Sequence, residues 1–163
     1  MSRLLGAALP AGLSRRLGGG GLASHASLAI PIVTVDEEGW PHVALLSYSE
    51  VVAVSPSTLR LAIGASSVTA ANLRRTGRVT LAVVDADLVH YVKGSAFESP
   101  GSLETAPWTA VFDVAVRAVL EDAADPRREG GARILGGITF AAGDAWTSSR
   151  AAILAELLAR GRA

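Results

Sequence analysis

The segment Gly64-Ala65-Ser66-Ser67-Val68-Thr69 carries the residue types best suited to holding an anion. It follows a strand-like run and precedes a helical pattern, so free main-chain N–H groups at the helix start would lie beside the hydroxyls of Ser66, Ser67 and Thr69. Such a turn can bind a phosphate monoester without a basic residue. The alternative interpretation is that Ser67 only caps the helix and that the other hydroxyls are solvated.

The sequence excludes several other kinds of site. It has no cysteine, which removes disulfides, thiolate metal sites and cysteine nucleophiles. The three histidines, His25, His42 and His90, have no ligand-like spacing, so no metal site is predicted. A Gly-x-Ser-x-Gly elbow, a Gly-x-Gly-x-x-Gly fingerprint and a P-loop motif are all absent from the sequence.

Composition describes one domain of 163 residues, half of them apolar, with a formal net charge of zero. The lack of a basic field argues against nucleic-acid and membrane-surface partners. The apolar run at residues 4–13 is interrupted by Pro10 and followed by Arg15 and Arg16, which is not the pattern of a signal peptide. Because no apolar segment approaches the roughly 18 residues that span a bilayer, we expect a cytoplasmic protein.

Hydrophobic periodicity predicts mostly strands between two terminal helices. The predicted order is a helix at 2–16, a glycine linker at 18–21, strands at 30–35, 42–47, 50–54 and 59–63, a short helix at 67–75, strands at 78–84, 88–93 and 111–121, and an amphipathic helix at 147–160. Ser66 or Ser67 is the expected N-cap of the short helix, and Gly77 its stop. Gly94 closes a strand, residues 97–107 form a loop or short helix, and residues 134–140 form a strand or helix.

Strands joined by tight turns pair antiparallel, and six or more in one domain imply closure into a barrel. The predicted fold is mainly β, with about six or seven mostly antiparallel strands, a short helix after the fourth, and a helix at each end. We expect a single domain in which residues 1–24 are helix and linker, 25–142 the barrel, and 145–161 the C-terminal helix, stopped by Gly161. The apolar stripe of that helix at 153–158 is a candidate for a subunit interface.

An ordered set of short motifs in the middle half of the chain resembles a known superfamily. The motifs are Gly39-Trp40-Pro41, the run Leu59 to Gly64, Ser66-Ser67-Val68-Thr69, Asn72-Leu73-Arg74, the run Arg78 to Val84, and Tyr91-Val92-Lys93-Gly94. Their order and spacing resemble the FMN-binding split barrels, the superfamily of pyridoxamine 5′-phosphate oxidase and its relatives. The barrel is therefore expected to be a split barrel.

The resemblance implies roles for particular residues. It implies that the turn holds the flavin phosphate, that one strand lies along the ring and ribityl chain, and that a second strand flanks the ring through its backbone. The implied cofactor-binding residues are His42, Leu45, Ser47, Ala62, Ile63, Gly64, Ser66, Ser67, Thr69 and Asn72. It also implies a homodimer with the cofactor at the subunit interface.

The chain departs from the oxidase itself. Val68-Thr69 stand where the oxidase has an Arg-Lys pair, Ser47 stands where it has a basic residue, and its C-terminal arginine signature is not recognisable after Leu158. Pyridoxamine oxidation is therefore not predicted. The first hypothesis is an FMN-dependent oxidoreductase acting on an unknown small molecule, with a deazaflavin or haem as alternative ligands. The others are a non-catalytic flavin or haem binder and a dimeric split barrel without a ligand.

Overall fold

The computed structural model describes residues 2–20, 22–125 and 127–160. In chain order the elements are β1 (Arg3–Gly6), α1 (Ala11–Leu17), α2 (Leu22–His25), β2 (Leu28–Val35), β3 (Pro41–Ser47), a 3₁₀ turn (Tyr48–Glu50), β4 (Val51–Ser55), β5 (Thr58–Gly64), α3 (Val68–Thr76), β6 (Arg78–Asp85), β7 (Leu88–Ser99), β8 (Thr109–Ala123), β9 (Ile138–Thr139) and α4 (Asp144–Ala159). None of the described helices has the length and hydropathy that a membrane crossing requires.

The strands form one curled antiparallel sheet in the order β3-β2-β6-β7-β8-β5-β4, with β1 added to β8 and β9 added to β2. Within the described residues no ladder joins β3 to β4, so the barrel stays open between them. The 3₁₀ turn connects these two strands directly. The predicted mainly β split barrel with flanking helices is confirmed.

Two hydrophobic cores lie on opposite faces of the sheet because side chains alternate along each strand. The inner core fills the barrel and includes Ile32, Leu61 and Phe112, all fully buried. The outer core packs α4 onto the other face, where Ile153 and Leu157 are buried. Each such side chain contributes about 1.5–3 kcal/mol of burial free energy.

The predicted apolar stripe of α4 therefore packs on its own barrel rather than between subunits. Ile153, Leu154 and Leu157 are buried in the outer core. Leu158 points away from that core and is 47% exposed, so the stripe is narrower than the sequence suggested. Gly161, the predicted stop of this helix, lies outside the described residues.

A buried ion pair fixes the end of α4 to the barrel. Arg60 Nε lies 2.7 Å from Asp113 Oδ1, and both side chains are at most 5% exposed. Ser99 Oγ donates to Asp113 Oδ2 at 2.7 Å, and Arg60 Nη1 donates to the carbonyl of Arg160 at 2.7 Å. Burial raises the pKa of Asp113, but hydrogen bonds from Arg60 and Ser99 outweigh it and hold that pKa below its ordinary value.

The predicted helix at 2–16 is wrong in its first half, where a strand forms. Gly6 has φ +123° and Pro10 immediately precedes α1, and both residues stop a helix from continuing through them. Residues 3–6 pair instead with the C-terminal half of β8, and α1 buries Leu13 and Leu17 in the inner core. Of the predicted linker at 18–21, Gly21 lies outside the described residues.

Gly94 does not end its strand as predicted, because β7 continues to Ser99. A Cβ at Gly94 would lie 2.2 Å from Val114 Cγ1, and the β7–β8 register shifts between Lys93 and Gly94. Glycine is therefore needed here for close strand approach at a bulge, not for a turn.

Candidate functional site

The turn between β5 and α3 is held by a hydrogen bond to the segment before β8 and by bonds within the turn itself. The Ala65 N–H donates to the carbonyl of Trp108 at 2.9 Å, and the Ser67 N–H donates to the carbonyl of Gly64 at 3.0 Å. Ser67 is the N-cap of α3, since its Oγ accepts from the Ala70 N–H at 3.1 Å. The predicted cap is confirmed, as is Gly77 at the other end, with φ +61°.

Three main-chain donors at this turn have no protein acceptor among the described residues. They are the N–H groups of Ser66, Val68 and Thr69, at the positive end of the α3 dipole. Ser66 is exposed and Ser67 half-buried, whereas Thr69 is buried on the side of α3 that faces the barrel. The turn can therefore offer an anion main-chain N–H groups and the exposed Ser66 hydroxyl.

The two arginines of α3 form hydrogen bonds within the protein. Arg74 forms a two-pronged pair with Glu98, with Nε 2.6 Å from Oε2 and Nη2 2.9 Å from Oε1, and its Nη1 donates to the carbonyl of Ala65 at 2.8 Å. The hydrogen bond from Arg74 lowers the pKa of Glu98. Arg75 donates to the carbonyl of Val35. An anion at the turn would thus meet neutral donors.

Asn72 ties α3 to the β2–β3 hairpin. Its Nδ2 donates to Thr34 Oγ1 at 3.0 Å, and both side chains are buried. His42 of β3 pairs with Thr34 in the ladder and is half-buried. The structure therefore brings Asn72 and His42 to the same end of the hairpin.

The predicted residues of β3 do not share one face. Side chains alternate along a strand, so His42 points to the face opposite that of Leu45 and Ser47. His42 and Ser47 are five residues apart, about 17 Å along the strand. Leu45 is 53% exposed and its neighbour on that face, Val43, is 59% exposed. A ligand lying on this outer face would meet Leu45 and not His42.

Ser47 is already engaged within the chain. Its N–H and its Oγ both donate to Glu50 Oε2, each at 2.7 Å, and its Oγ also lies 2.7 Å from Ser49 Oγ. Glu50 Oε1 accepts from Arg150 Nη1 of α4 at 2.8 Å. Sequence reasoning missed Glu50 and Arg150, although Ser47 and Glu50 are spaced as a capping box.

The backbone at residues 62–64 borders the opening of the barrel. Ala62, Ile63 and Gly64 pair with β8 on one side, whereas the β4 ladder stops at Leu61 on the other. The side chains of Ala62 and Ile63 are buried in the two cores, so only their main chain can face a ligand. A Cβ at Gly64 would have Ser67 Cβ, 3.9 Å away, as its nearest neighbour, so the fold itself does not require glycine there.

Comparison with solved structures places this architecture among known proteins. A putative pyridoxamine 5′-phosphate oxidase from Lactobacillus delbrueckii has a TM-score of 0.53 and 19% identity, over 73% of this chain and 98% of that one. An FMN-binding protein from Syntrophomonas wolfei gives 0.52 and 16%, over 69% and 90%. HupZ of Group A Streptococcus gives 0.54 and 16%, over 68% and 92%. The chain shares the split-barrel fold of these proteins.

At 16–19% identity, these similarities show a shared fold and nothing more. Among curated proteins, this chain is 37% identical over 65 residues to the uncharacterized protein YclD of Bacillus subtilis (strain 168). That match covers 40% of this chain and 42% of YclD, so it spans less than half of the relative's length. No protein-family model matches the chain.

Proposed function

We propose that this protein binds FMN in the opening of its barrel and uses it as an oxidoreductase in the cytoplasm. The observation that carries the proposal is the set of N–H groups at Ser66, Val68 and Thr69 that have no acceptor in the described part of the chain, beside the open backbone edge at residues 62–64. A phosphate monoester suits the first feature, because its oxygens accept several N–H bonds at a helix start. A flat ring suits the second, because main-chain groups can approach it closely.

The residues present fit the flavin phosphate. The donors of the turn are preorganised by the bonds of Ala65 and Ser67, and Asn72 holds α3 against the hairpin. Gly64 presents no side chain to a ligand in the opening. When bound, FMN would supply hydride or electron transfer, while the protein binds and orients it. The turn would hold the phosphate, and the backbone at 62–64 with Leu45 would contact the ring.

The same proposal includes a homodimer. Large apolar side chains stay exposed around the opening of one protomer: Trp40, Val43, Leu45, Val68 and Trp108 are 53–66% exposed. A second copy that covers them would bury apolar area and complete the cleft around the flavin. The site of a single protomer is open, which is the arrangement expected when the partner supplies its other wall.

The test begins with the absorption spectrum of the purified protein and a titration of FMN into the apo form. Ser67→Glu should abolish FMN binding, because its carboxylate would occupy the free N–H groups and repel the phosphate. Ser66→Glu places the same charge at the turn while leaving the N-cap intact. Ser102→Glu, at an exposed loop position, is the matched control and should bind FMN normally.

The outcomes separate the alternatives. Flavin bands and loss of FMN affinity in both turn variants support the proposal. A Soret band would assign the opening to haem, and binding of a deazaflavin in place of FMN would change the cofactor but keep the site. A colourless protein that ignores all three ligands would be a split barrel without a ligand. Unchanged FMN affinity in both turn variants would move the phosphate elsewhere.

A further inference from the structure

A second concave site lies where α4 passes the C-terminal end of β3. It is a pocket of about 350 Å³, within the range of about 300–1,000 Å³ that is usual for small-molecule sites. Apolar walls come from Leu45, Ile138, Phe140 and Trp146. The rings of Phe140 and Trp146 pack edge to face, with centroids 4.9 Å apart. This aromatic corner is shaped for a flat, apolar ligand.

One cationic side chain, Arg150, borders this pocket with most of its donors unused. Within the described residues it makes one hydrogen bond, from Nη1 to Glu50 Oε1 at 2.8 Å, out of its five N–H donors. Its Nε is buried and has no hydrogen-bond acceptor in the described ranges. The guanidinium carbon lies 5.0 Å from the ring centroid of Trp146, which holds the group against the aromatic wall.

The acceptor that faces Arg150 is already satisfied. Glu50 Oε2 takes two hydrogen bonds from Ser47, and Glu50 Oε1 takes the one from Arg150. The pair is therefore unbalanced: the carboxylate has its partners, while the guanidinium still has donors to give. A ligand that brings one carboxylate can use them. The second charge of a dianion would meet no other cationic side chain among the described residues that line the pocket, and Glu50 would repel it.

We infer that this pocket binds a flat aromatic monoanion, with its ring against Phe140 and Trp146 and its carboxylate on Arg150. Leu45 lies both in this pocket and in the proposed flavin site, so the ligand would stand beside the flavin ring. That the aromatic monoanion is the substrate of the oxidoreductase rests on the proposed function. Its binding to the pocket does not depend on that function.

The probe for this pocket is 2-naphthoate, and its neutral control is 2-naphthamide. Isothermal titration calorimetry on the full chain, with and without saturating FMN, needs no catalytic activity. We expect one naphthoate per chain and at least tenfold weaker binding of the amide, because one charge-assisted hydrogen bond is lost. Arg150→Met should remove this preference, and Arg128→Met, whose side chain is 83% exposed, should keep it.

If Arg150→Met fails to fold, the affinities of the unchanged chain for 2-naphthoate and 2-naphthamide still test whether the pocket prefers a carboxylate. Equal affinity for the two probes, or no naphthoate binding, overturns the proposal. Displacement of naphthoate by FMN also overturns the proposal, because the flavin ring would then occupy this pocket. If naphthoate binds as expected and FMN does not, the pocket stands and the proposed flavin function fails. If FMN binds and naphthoate does not, the proposed flavin function stands and the proposed ligand of this pocket fails.

Discussion

Val68→Pro removes one donor of the proposed phosphate site without disturbing the helix that carries it. Val68 is the first residue of α3, where proline is tolerated because the N–H has no intrahelical acceptor and φ near −65° is already helical. A residue before proline must be extended, and Ser67 already has φ −75° and ψ 155°. The variant should therefore fold with nearly unchanged stability.

The expected effect on affinity follows from the single hydrogen bond that is lost. A hydrogen bond to a charged group contributes about 1.5–3 kcal/mol net, and about 1.4 kcal/mol corresponds to a factor of ten. The FMN dissociation constant should rise by roughly ten- to a hundredfold. Riboflavin has no phosphate, so its dissociation constant should not change. Because Arg74 and Arg75 are engaged elsewhere, FMN affinity should also depend little on salt.

Quenching of flavin fluorescence, titrated into apo-protein, measures both dissociation constants. Val68→Ala is the matched control, since it removes the half-exposed side chain and keeps the N–H. An equal loss for FMN and riboflavin in Val68→Pro would mean that the substitution disturbs the ring site. Unchanged FMN affinity in a folded Val68→Pro protein would refute the assignment of this N–H to the phosphate.

Five further outcomes are expected. Riboflavin should bind the unchanged chain at least tenfold more weakly than FMN, measured by the same titration. Asp113→Asn removes the carboxylate that neutralises the buried guanidinium of Arg60 and should lower the free energy of unfolding in urea by about 3–5 kcal/mol. D113N stability equal to that of the unchanged chain would contradict this. Because the pKa of Asp113 is lower in the folded state than in the unfolded one, its stabilisation is present above about pH 4 and should be lost as the pH falls through the folded value. Gly94→Ala should cost about 1–3 kcal/mol in thermal unfolding, since its Cβ meets Val114. Leu45→Glu should convert a dimer to monomers in light scattering, and a monomeric unchanged chain would defeat the dimer.

The parts of the fold that local sequence determines were predictable. The α3 helix is one example, because a capping serine at Ser67 and a glycine at Gly77 stand directly at its two ends. The hairpin of β2 and β3 is another, since its turn and its two strands are adjacent in the chain. Periodicity alone was sufficient to place β6 and to identify the buried stripe of α4 at Ile153, Leu154 and Leu157.

The parts that depend on distant partners were not predictable. Residues 3–6 become a strand because β8, more than a hundred residues later, offers an unpaired edge beyond the end of β5. The role of Gly94 depends on how closely β8 approaches, which no local pattern reports. Arg150 meets Glu50 across one hundred residues of chain, so the aromatic pocket had no signal in the sequence.

The candidate site combines both cases, and this determines how it should be probed. Its donors are main-chain N–H groups at a turn that local residues specify, so the turn could be found from sequence. Its other wall is the backbone edge at residues 62–64, which is open only because the β4 ladder ends at Leu61. Side-chain truncation at Ala62 or Ile63 would disturb the cores and not the ligand contacts. Changes that act on main-chain groups, such as Val68→Pro, therefore test the site more directly than alanine scanning does.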